Sequence, residues 1–217
     1  EAVKGVNLSL AAGRSLALIG PTAAGKSVFL KCLAGLYAPE QGRILVDRAV
    51  VGITDERPAE LNDRIGMLFQ QNALFDSLPV WENIAFRLIA NGMARDEARV
   101  KAEALLPRVG LPAANADLFP ADLSGGMQRR VALARSFASE PELFILDEPF
   151  VSLDEPAANL LRNMLLNLWT KEPTTILFIT HDLKEAIYLS DRIVFLSKTP
   201  TKVLTEKKIQ LRRPRSF

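Results

Sequence analysis

An apolar segment that runs directly into a glycine-rich loop constrains the fold of this chain most. Ser15–Ile19 has the character of a buried strand, and residues 20–27 read GPTAAGKS, which matches G-x-x-x-x-G-K-[ST] at every fixed position. Between a strand and a helix, such a loop turns backbone N–H groups and the positive end of the helix toward phosphate. The sequence therefore predicts an α/β domain with a phosphate site after this strand. A chance glycine-rich turn before a helix is the alternative interpretation.

The composition is that of a globular chain with a substantial core. Of 217 residues, 48% are hydrophobic and 24% are charged, and this length predicts one domain or one domain with a subdomain. The formal net charge of +2 is too small to indicate nucleic acid as a partner. Cys32, the single cysteine, is expected to be a buried thiol in a reducing compartment. No apolar run approaches the ~18–20 residues of a membrane helix, and no signal peptide is recognised.

Apolar strand patterns alternate with helical periodicity along the chain. This alternation predicts a mainly parallel sheet covered by helices on both faces. The long helical stretch in the middle predicts a helical subdomain inserted between two halves of an α/β core. The predicted strands are residues 6–10, Ser15–Ile19, 42–47, 64–69, 143–146, 174–179, 193–196 and 203–205. The predicted helices are residues 26–36, 80–107, 125–139, 156–168 and Leu183–Leu189.

Two further motifs narrow the interpretation of the phosphate-binding loop. Residues 123–128 read LSGGMQ, and residues 143–148 read LFILDE, an apolar strand that ends in two carboxylates. Together with the loop, and in this order, they resemble the ATP-binding cassette (ABC) ATPases over nearly the whole chain. The resemblance implies an α/β P-loop NTPase core with a mainly parallel sheet, N-terminal antiparallel β elements and an inserted helical subdomain. It places the core in residues 1–79 and 139–217, and the helical subdomain with LSGGMQ in residues 80–138.

The resemblance implies ATP as the ligand of the phosphate-binding loop and Mg²⁺ as its cofactor. Lys26 is expected to reach the β- and γ-phosphates, and the Ser27 hydroxyl to bind Mg²⁺. Ala23 stands where many family members have glycine, which is a mild departure because the minimal pattern does not require glycine there. The expected ATP-binding residues of this segment are Gly20, Pro21, Thr22, Ala23, Ala24, Gly25, Lys26, Ser27 and Val28.

Residues beyond the loop complete the expected catalytic site. Asp147 matches the family's Mg²⁺-supporting aspartate, and Glu148 matches the general base that polarises the attacking water. His181, the only histidine, matches the histidine that senses the γ-phosphate, although a lone histidine is more often structural. Gln70 matches the glutamine that binds Mg²⁺ or water, and a polar residue that simply ends a strand is the alternative. The expected catalytic residues are Lys26, Gln70, Glu148 and His181, and the expected metal ligands are Ser27, Gln70 and Asp147.

The segment 123–128 is expected to complete the ATP site of a second, identical subunit. It opens a predicted helix whose exposed N–H groups suit an anion, while an ordinary N-cap followed by flexible glycines is the alternative. The family's glutamine is displaced by one position, behind Met127. In a two-fold homodimer, each ATP then lies between one subunit's phosphate-binding loop and the other's segment 123–128. The expected nucleotide contacts at this interface are Ser124, Gly125, Gly126, Gln128 and Asp154.

The resemblance also implies a transmembrane permease as the partner of the ATPase. Because no segment of this chain is predicted to span a membrane, we expect it to lie peripherally at the cytoplasmic face of the inner membrane. Residues 71–79 and the helices after them are expected to form a groove for a short permease helix. Ordinary subdomain core is an equally good interpretation of the apolar cluster in this region. The residues of that cluster are Leu74, Phe75, Leu78 and Trp81.

Two other classes of function share these motifs. Soluble ABC ATPases act on DNA or ribosomes, but they usually carry a long coiled coil or a second cassette, and neither pattern is present in this sequence. A nucleotide-binding scaffold without turnover is the other alternative. Intact Lys26, Glu148 and His181 argue against the scaffold.

The two halves of the chain indicate different transported substrates. Residues 66–83 and 117–122 resemble ATPases of phospholipid trafficking and solvent tolerance. Residues 165–169, 188–192 and 211–215 instead resemble nitrate, sulfonate and taurine importers. We favour a phospholipid, because the earlier half contains the expected permease-facing segment.

Each end of the chain carries one further expectation. The sequence begins at Glu1 within an apparent strand, without the aromatic residue that stacks on adenine in relatives. Native residues are therefore expected to precede it. The basic segment 207–215 is expected to be a solvated terminus rather than a lipid-binding patch.

Overall fold

A six-stranded sheet forms the centre of the molecule. The structure, a computed structural model, describes residues 3–46, 49–51, 64–68, 73–151, 153–171, 174–212 and 215. The strands are β1 (Ser15–Ile19), β2 (Ile44–Val46), β3 (Ala49–Val51), β4 (Ile65–Leu68), β5 (Leu143–Asp147), β6 (Thr175–Ile179), β7 (Arg192–Leu196) and β8 (Val203–Lys208). The sheet has the order β4–β5–β6–β1–β7–β8, and β2 pairs with β3 in a separate antiparallel hairpin.

Every neighbouring pair in the sheet is parallel except β7 and β8, which are antiparallel. Asp147 pairs with Ile179, and Ile179 pairs with Leu18. The carboxyl ends of β1, β5 and β6 therefore lie side by side. Open α/β sheets bind their ligands at the carboxyl ends of their strands. The mainly parallel sheet confirms the predicted fold class.

Helices cover both faces of the sheet, as the alternation of strands and helices predicts. The helices are α1 (Lys26–Leu33), α2 (Val80–Ala90), α3 (Arg95–Leu105), α4 (Gly125–Ala138), α5 (Glu155–Lys171) and α6 (Leu183–Leu189). Successive strand residues point to opposite faces. Leu18 of β1 and Ile145 of β5 pack with Leu30 of α1 on one face, whereas Phe144 and Phe178 pack with the other helices on the opposite face.

Helices α2, α3 and α4 share one buried cluster. Leu88 of α2, Ala102 of α3 and Val131 of α4 belong to it. Arg87 of α2 donates a hydrogen bond to the carbonyl of Ile65 in β4 at 3.0 Å, which fastens these helices to the edge of the sheet. The three helices lie within residues 80–138, and the subdomain boundaries stay a prediction.

Several predicted elements differ from those in the structure. Residues 6–10 are not a strand: Leu8 and Leu10 pack on the α1 side of the core without pairing, and the nearby Val3 forms only an isolated bridge to Thr201. The first helix ends at Leu33 rather than residue 36, because Gly35 adopts a positive φ of 77°. The predicted helix 80–107 is two helices, interrupted at Asn91–Ala94. The hairpin strand β3 was not predicted.

Two predictions about exposure are also corrected. Cys32 is only partly buried, and its burial still raises the pKa of the thiol. Arg215 is not a solvated residue: its guanidinium donates to the carbonyl of Ser190 at 2.8 Å and to that of Ile187, at the end of α6. Lys207 and Lys208 are exposed, as expected.

Among the described residues, no helix has both the length and the apolarity needed to cross a membrane.

Candidate nucleotide site

The candidate site lies where β1, β5 and β6 end. The loop of residues 20–25 leaves β1 and leads into α1. Asp147 is the last residue of β5 and Glu148 follows it, and His181 lies two residues after β6. Because the three strands pair in parallel, these groups all lie at the carboxyl ends of the strands. Gln70, also predicted here, lies outside the described residues.

The phosphate-binding loop has the backbone geometry that its glycine pattern predicts. Gly25 is the N-cap of α1 with φ 84°, a conformation that favours glycine, and no side chain caps the first N–H groups of this helix. Ala23 also has a positive φ, 59°, without being glycine. Thr199 donates a hydrogen bond to the Ala23 carbonyl at 2.8 Å, which ties the loop to the turn between β7 and β8. The uncapped helix start suits an anion.

Lys26 is held inside this loop by its own backbone. Its Nζ donates to the carbonyls of Gly20 and Pro21, each at 2.7 Å, and the residue is 7% exposed. Burial lowers the pKa of Lys26, while the negative charges of Glu148 and Asp147 oppose that change. The ammonium thus lies among two carbonyls and two carboxylates, a setting in which a phosphate can replace carbonyl oxygens as the partner.

Asp147 is a buried carboxylate beside the start of α1. Only 3% of the residue is exposed, and it accepts a hydrogen bond from the side chain of Ser27. Burial raises the pKa of Asp147; the Ser27 hydrogen bond and the charges of Lys26 and Arg129 offset part of this rise, and the charge of Glu148 adds to it. A hydroxyl and a carboxylate in contact are oxygen donors of the kind that Mg²⁺ prefers.

Glu148 and His181 form the outer part of the site. Glu148 has a positive φ of 48°, and its N–H donates to the carbonyl of Ile179 at 3.0 Å, which joins the ends of β5 and β6. Nδ1 of His181 lies 3.7 Å from Oε1 of Glu148. The histidine side chain is 68% exposed and the glutamate side chain 22% exposed, so both can reach a ligand from solvent. Unusual backbone conformations of this kind cluster at functional sites.

The segment 123–128 is presented to solvent at the start of α4. Ser124 is the N-cap, and its hydroxyl accepts from the N–H of Met127 at 3.3 Å. Apart from neighbouring residues of the same helix, no atom lies within 4 Å of the place where a Cβ would stand on Gly125 or Gly126, so the two glycines face open space. Gln128 instead turns back: its side-chain amide donates to the carbonyl of Pro120 at 2.9 Å.

Asp154 caps a different helix. Its carboxylate accepts from the N–H of Ala157 at 2.9 Å at the start of α5, and it lies 3.6 Å from Arg130. The side chain is 66% exposed. Within one chain, the structure therefore gathers Lys26, Ser27, Asp147, Glu148 and His181, whereas Ser124, Gly125, Gly126, Gln128 and Asp154 stay at the surface with local partners.

The sequence reasoning missed one residue that links these two groups. Arg129, in the first turns of α4, is 4% exposed and donates to the carbonyl of Glu148 at 2.7 Å and to that of Asp147 at 3.1 Å. Burial lowers its pKa, which the charges of Asp147 and Glu148 oppose. The signal that could have found it is the arginine pair at residues 129–130, which precedes the apolar stretch 131–134.

Comparisons with known proteins assign this chain and its fold to a family. The sequence model of the family described as ABC transporter matches residues 3–151. The fold superposes on a dimeric post-hydrolysis state of the ATP-binding cassette MJ0796 bound to ADP and Pi, with a TM-score of 0.87 and 30% identity, covering 97% of this chain and 92% of that one. This chain belongs to the ABC transporter family, as an ATP-binding subunit whose ATP hydrolysis is coupled to transport.

Curated relatives extend the similarity along the chain. An uncharacterized ABC transporter ATP-binding protein, MJ0412 of Methanocaldococcus jannaschii, is 39% identical over 216 residues, 99% of this chain and 78% of the relative. The aliphatic sulfonates import ATP-binding protein SsuB of Bacillus cereus is 37% identical over 217 residues, 100% of this chain and 82% of the relative. The sulfate/thiosulfate import ATP-binding protein CysA of Synechococcus elongatus is 40% identical over 198 residues, 91% of this chain and 56% of the relative. These relatives do not support the preference for a phospholipid, and they agree better with the importer alternative.

Proposed function

We propose that this ATPase works as a two-fold homodimer on a permease that imports a small oxyanion, such as a sulfonate or sulfate. The observation that carries the substrate class is the 37% identity to a sulfonate importer ATPase along the whole chain. In this arrangement the subunit lies at the cytoplasmic face of the membrane that holds the permease.

Ser27 in the first turn of α1 and Asp147 at the end of β5 fit the Mg²⁺ ion that the family implies. Ser27 and Asp147 bring a hydroxyl and a buried carboxylate into contact, and we assign them as the protein's ligands, with Gln70 as a further candidate. The bound ion supplies positive charge that offsets the charge on the phosphate oxygens. Burial disfavours the ionised form of the Asp147 carboxylate. A bound cation stabilises this ionised form, so the buried carboxylate favours cation binding.

The chemistry of hydrolysis follows from the places of Lys26, Glu148 and His181. Glu148 takes a proton from a water molecule as the water oxygen bonds to the γ-phosphorus, and the bond between this phosphorus and the bridging oxygen of ADP breaks. Lys26 offsets the charge on the phosphates, and the exposed His181 donates a hydrogen bond to the γ-phosphoryl oxygens. Its position 3.7 Å from Glu148 lets both groups act on one reacting phosphate.

The exposed half of the site supports a homodimer. Ser124, Gly125 and Gly126 present the start of α4 to solvent with open space around the glycines, where a γ-phosphate bound to another subunit can accept their N–H groups. The similar cassette MJ0796 has a dimeric structure with ADP and Pi. Asp154, exposed before α5, is a further interface residue in this proposal, whereas Gln128 supports the segment through its hydrogen bond to Pro120.

An aromatic pair marks the surface proposed for the permease. Phe75 and Phe86 are 41% and 44% exposed, and their ring centroids are 4.4 Å apart. Asn83 fixes the loop before α2, accepting from the N–H of Phe75 at 2.8 Å. Trp81, in contrast, is 7% exposed, so it belongs to the core. Among the residues of the apolar cluster predicted from the sequence, Phe75 is therefore the one best placed to contact the permease.

Uptake measurements in the native host test the substrate class. In cells without this chain, we expect uptake of ³⁵S-labelled sulfate or an alkanesulfonate to be lost, because the permease then lacks its ATPase. The wild-type chain should restore uptake, and the Glu148→Gln variant should not. Unchanged oxyanion uptake together with impaired movement of a labelled phospholipid would reverse the assignment in favour of lipid.

A further inference from the structure

A chain of buried polar side chains lies directly behind His181. Thr180, the residue before it, is 2% exposed, and its hydroxyl donates a hydrogen bond to Oε2 of Glu185 in α6. The same hydroxyl accepts from the N–H of Asp182, the residue after the histidine, at 3.1 Å. Both chain neighbours of His181 are therefore tied to one hydroxyl, and this hydroxyl is tied to Glu185.

Arg162 of α5 approaches the same glutamate from the other side. Its Nη2 lies 3.6 Å from Oε1 of Glu185, and its Nη1 donates to Oε1 of Glu155, the first residue of α5, at 2.9 Å. The guanidinium also lies 5.3 Å from the ring centroid of Phe150, two residues after Glu148. We call Thr180, Glu185 and Arg162 the strut, because they connect the end of β6 to the helix that follows the carboxylate pair.

The strut is buried, although buried ion pairs add little stability. Glu185 is 8% exposed and Arg162 is 5% exposed. Burial raises the pKa of Glu185, and the hydrogen bond from Thr180 and the charge of Arg162 offset only part of the rise. Apolar groups of similar volume are often as stabilising as a buried ion pair, or more so. Orientation of the neighbouring reacting groups therefore explains these buried polar residues better than a contribution to stability does.

We propose that Glu185 is a positioning residue for His181. Through Thr180 it fixes the peptide that carries the imidazole, and through Arg162 it fixes that peptide relative to α5. The inference rests on the proposed role of His181 in hydrolysis. When the strut is broken, the imidazole spends less time at the γ-phosphate, so turnover falls while ATP still binds to the loop at 20–27.

Substitutions at Thr180 test the strut with little change of shape. Thr180→Val removes the hydroxyl and keeps the β-branched side chain, and we expect kcat to fall about 10-fold or more with KM for ATP within about 2-fold. Thr180→Ser restores the hydroxyl and should restore kcat to within about 2-fold of wild type. Glu185→Gln, which keeps the shape and removes the charge, should lower kcat as Thr180→Val does.

Thr175→Val is the matched control. Thr175 lies at the other end of β6, and its hydroxyl accepts from the N–H of Gly13 at 3.0 Å. The control removes one hydroxyl, and its hydrogen bond to the main chain, from the end of β6 that is remote from His181, so it should leave kcat unchanged. Equal losses of kcat in Thr175→Val and Thr180→Val would overturn the proposal.

The imidazole itself provides a readout that does not depend on turnover. Because the chain has one histidine, protein labelled with ¹³C at the histidine Cε1 gives a single imidazole resonance. Thr180→Val and Glu185→Gln should shift or broaden this resonance, and Thr175→Val and Thr180→Ser should not. An unchanged resonance in both strut variants would also overturn the proposal.

His181→Ala distinguishes the positioning role of Glu185 from the role of His181 in hydrolysis, on which it rests. Wild-type turnover in His181→Ala would overturn the role of the histidine and the strut together. If His181→Ala loses activity, Thr180→Val added to it should cause no further loss of single-turnover rate, because the strut acts through the imidazole. A further loss equal to that of Thr180→Val alone would overturn the positioning role and leave the function of His181 intact.

Discussion

Nη2 of Arg129 donates a hydrogen bond to the main-chain carbonyl of Glu148 at 2.7 Å. Arg129 lies in the helix that begins with the Gly125–Gly126 pair, and Glu148 is the expected general base. The same guanidinium donates to the carbonyl of Asp147 at 3.1 Å. The segment proposed to contact a second subunit's ATP is thus anchored, within one chain, to the peptide that carries both carboxylates.

Arg129→Met should therefore weaken both the fold and the catalysis. Methionine fills similar space but donates no hydrogen bond, so two buried carbonyls lose a partner, at a cost of about 2–4 kcal/mol in the free energy of unfolding. Urea denaturation measures this loss. Arg108→Met, at an exposed arginine, is the control and should change stability by less than about 0.5 kcal/mol. Equal stability of the two variants would contradict the anchoring role of Arg129.

Glu148→Gln should abolish turnover without loss of ATP binding. Glutamine cannot take the proton from the attacking water, and the loss of a general base costs about 10²–10⁴-fold in rate. Since the γ-phosphate then persists, sizing chromatography with Mg-ATP should show a stable dimer. Glu142→Gln is the control, because Glu142 lies just before the same strand and pairs with Arg64 at the surface. Hydrolysis at the wild-type rate by Glu148→Gln would defeat the assignment.

Asp147→Asn should stabilise the nucleotide-free protein at neutral pH. Burial raises the pKa of Asp147 above its unfolded value, so the folded state holds this proton more tightly and stability falls as pH rises through the window between the two pKa values. Asparagine carries no such penalty. Its advantage in Tm, about 2–4 °C for each kcal/mol, should be full above that window and shrink as pH falls through it.

Thermal melts in EDTA between pH 4 and pH 8 measure the effect of Asp147→Asn. The exposed Asp76 provides the control, since Asp76→Asn should leave Tm nearly unchanged at each pH. Added Mg-ATP should raise the Tm of the wild-type protein more than that of Asp147→Asn, because the variant lacks the proposed metal ligand. A lower Tm for Asp147→Asn at pH 7 without nucleotide would contradict the predicted burial penalty.

Local pattern was sufficient to predict the parallel sheet and its covering helices. The loop before Lys26 is defined by neighbouring residues, and apolar runs such as Phe144–Leu146 are long enough to identify buried strands. Residues 6–10 were mistaken for a strand because alternating apolar side chains also occur where an unpaired segment lies against a core. Such a segment differs from a strand only because it lacks hydrogen bonds to a neighbouring strand. The alternation of apolar and polar residues contains no information about those bonds.

Contacts between distant positions account for the rest of what was missed. Arg129 reaches the Glu148 carbonyl across 19 positions, and neither residue's neighbours indicate the other. Glu185 is close to Thr180 in sequence but depends on Arg162, which belongs to another helix. Gln128 was expected to contact nucleotide although it lies one position after the family's glutamine. Its amide donates to the Pro120 carbonyl, because a helix residue one position later points in a different direction.

Phe86→Ala should weaken capture of the permease and leave basal hydrolysis unchanged. The side chain is 44% exposed and stacks on Phe75, so its loss costs little stability but removes apolar area from the proposed contact. Pull-down from a detergent extract, with mass spectrometry of the recovered membrane proteins, measures capture. Leu204→Ala is the control, since Leu204 is 67% exposed on β8 at the opposite edge of the sheet. Equal recovery with both variants would argue against this surface.

Ala23→Gly and Ala24→Gly should have opposite effects on stability, although the residues are neighbours. Ala23 has a φ of 59°, where an L-residue with a Cβ costs about 1–2 kcal/mol, and glycine relieves this cost but loses about 0.4–1 kcal/mol through the freer unfolded chain. Ala23→Gly should therefore raise the unfolding free energy by up to about 1 kcal/mol. Ala24 is 1% exposed and has no positive φ, so Ala24→Gly should lower it by about 1–2 kcal/mol. Denaturation of the nucleotide-free variants measures both, and a loss of stability in Ala23→Gly would contradict the predicted cost of a Cβ at this positive φ.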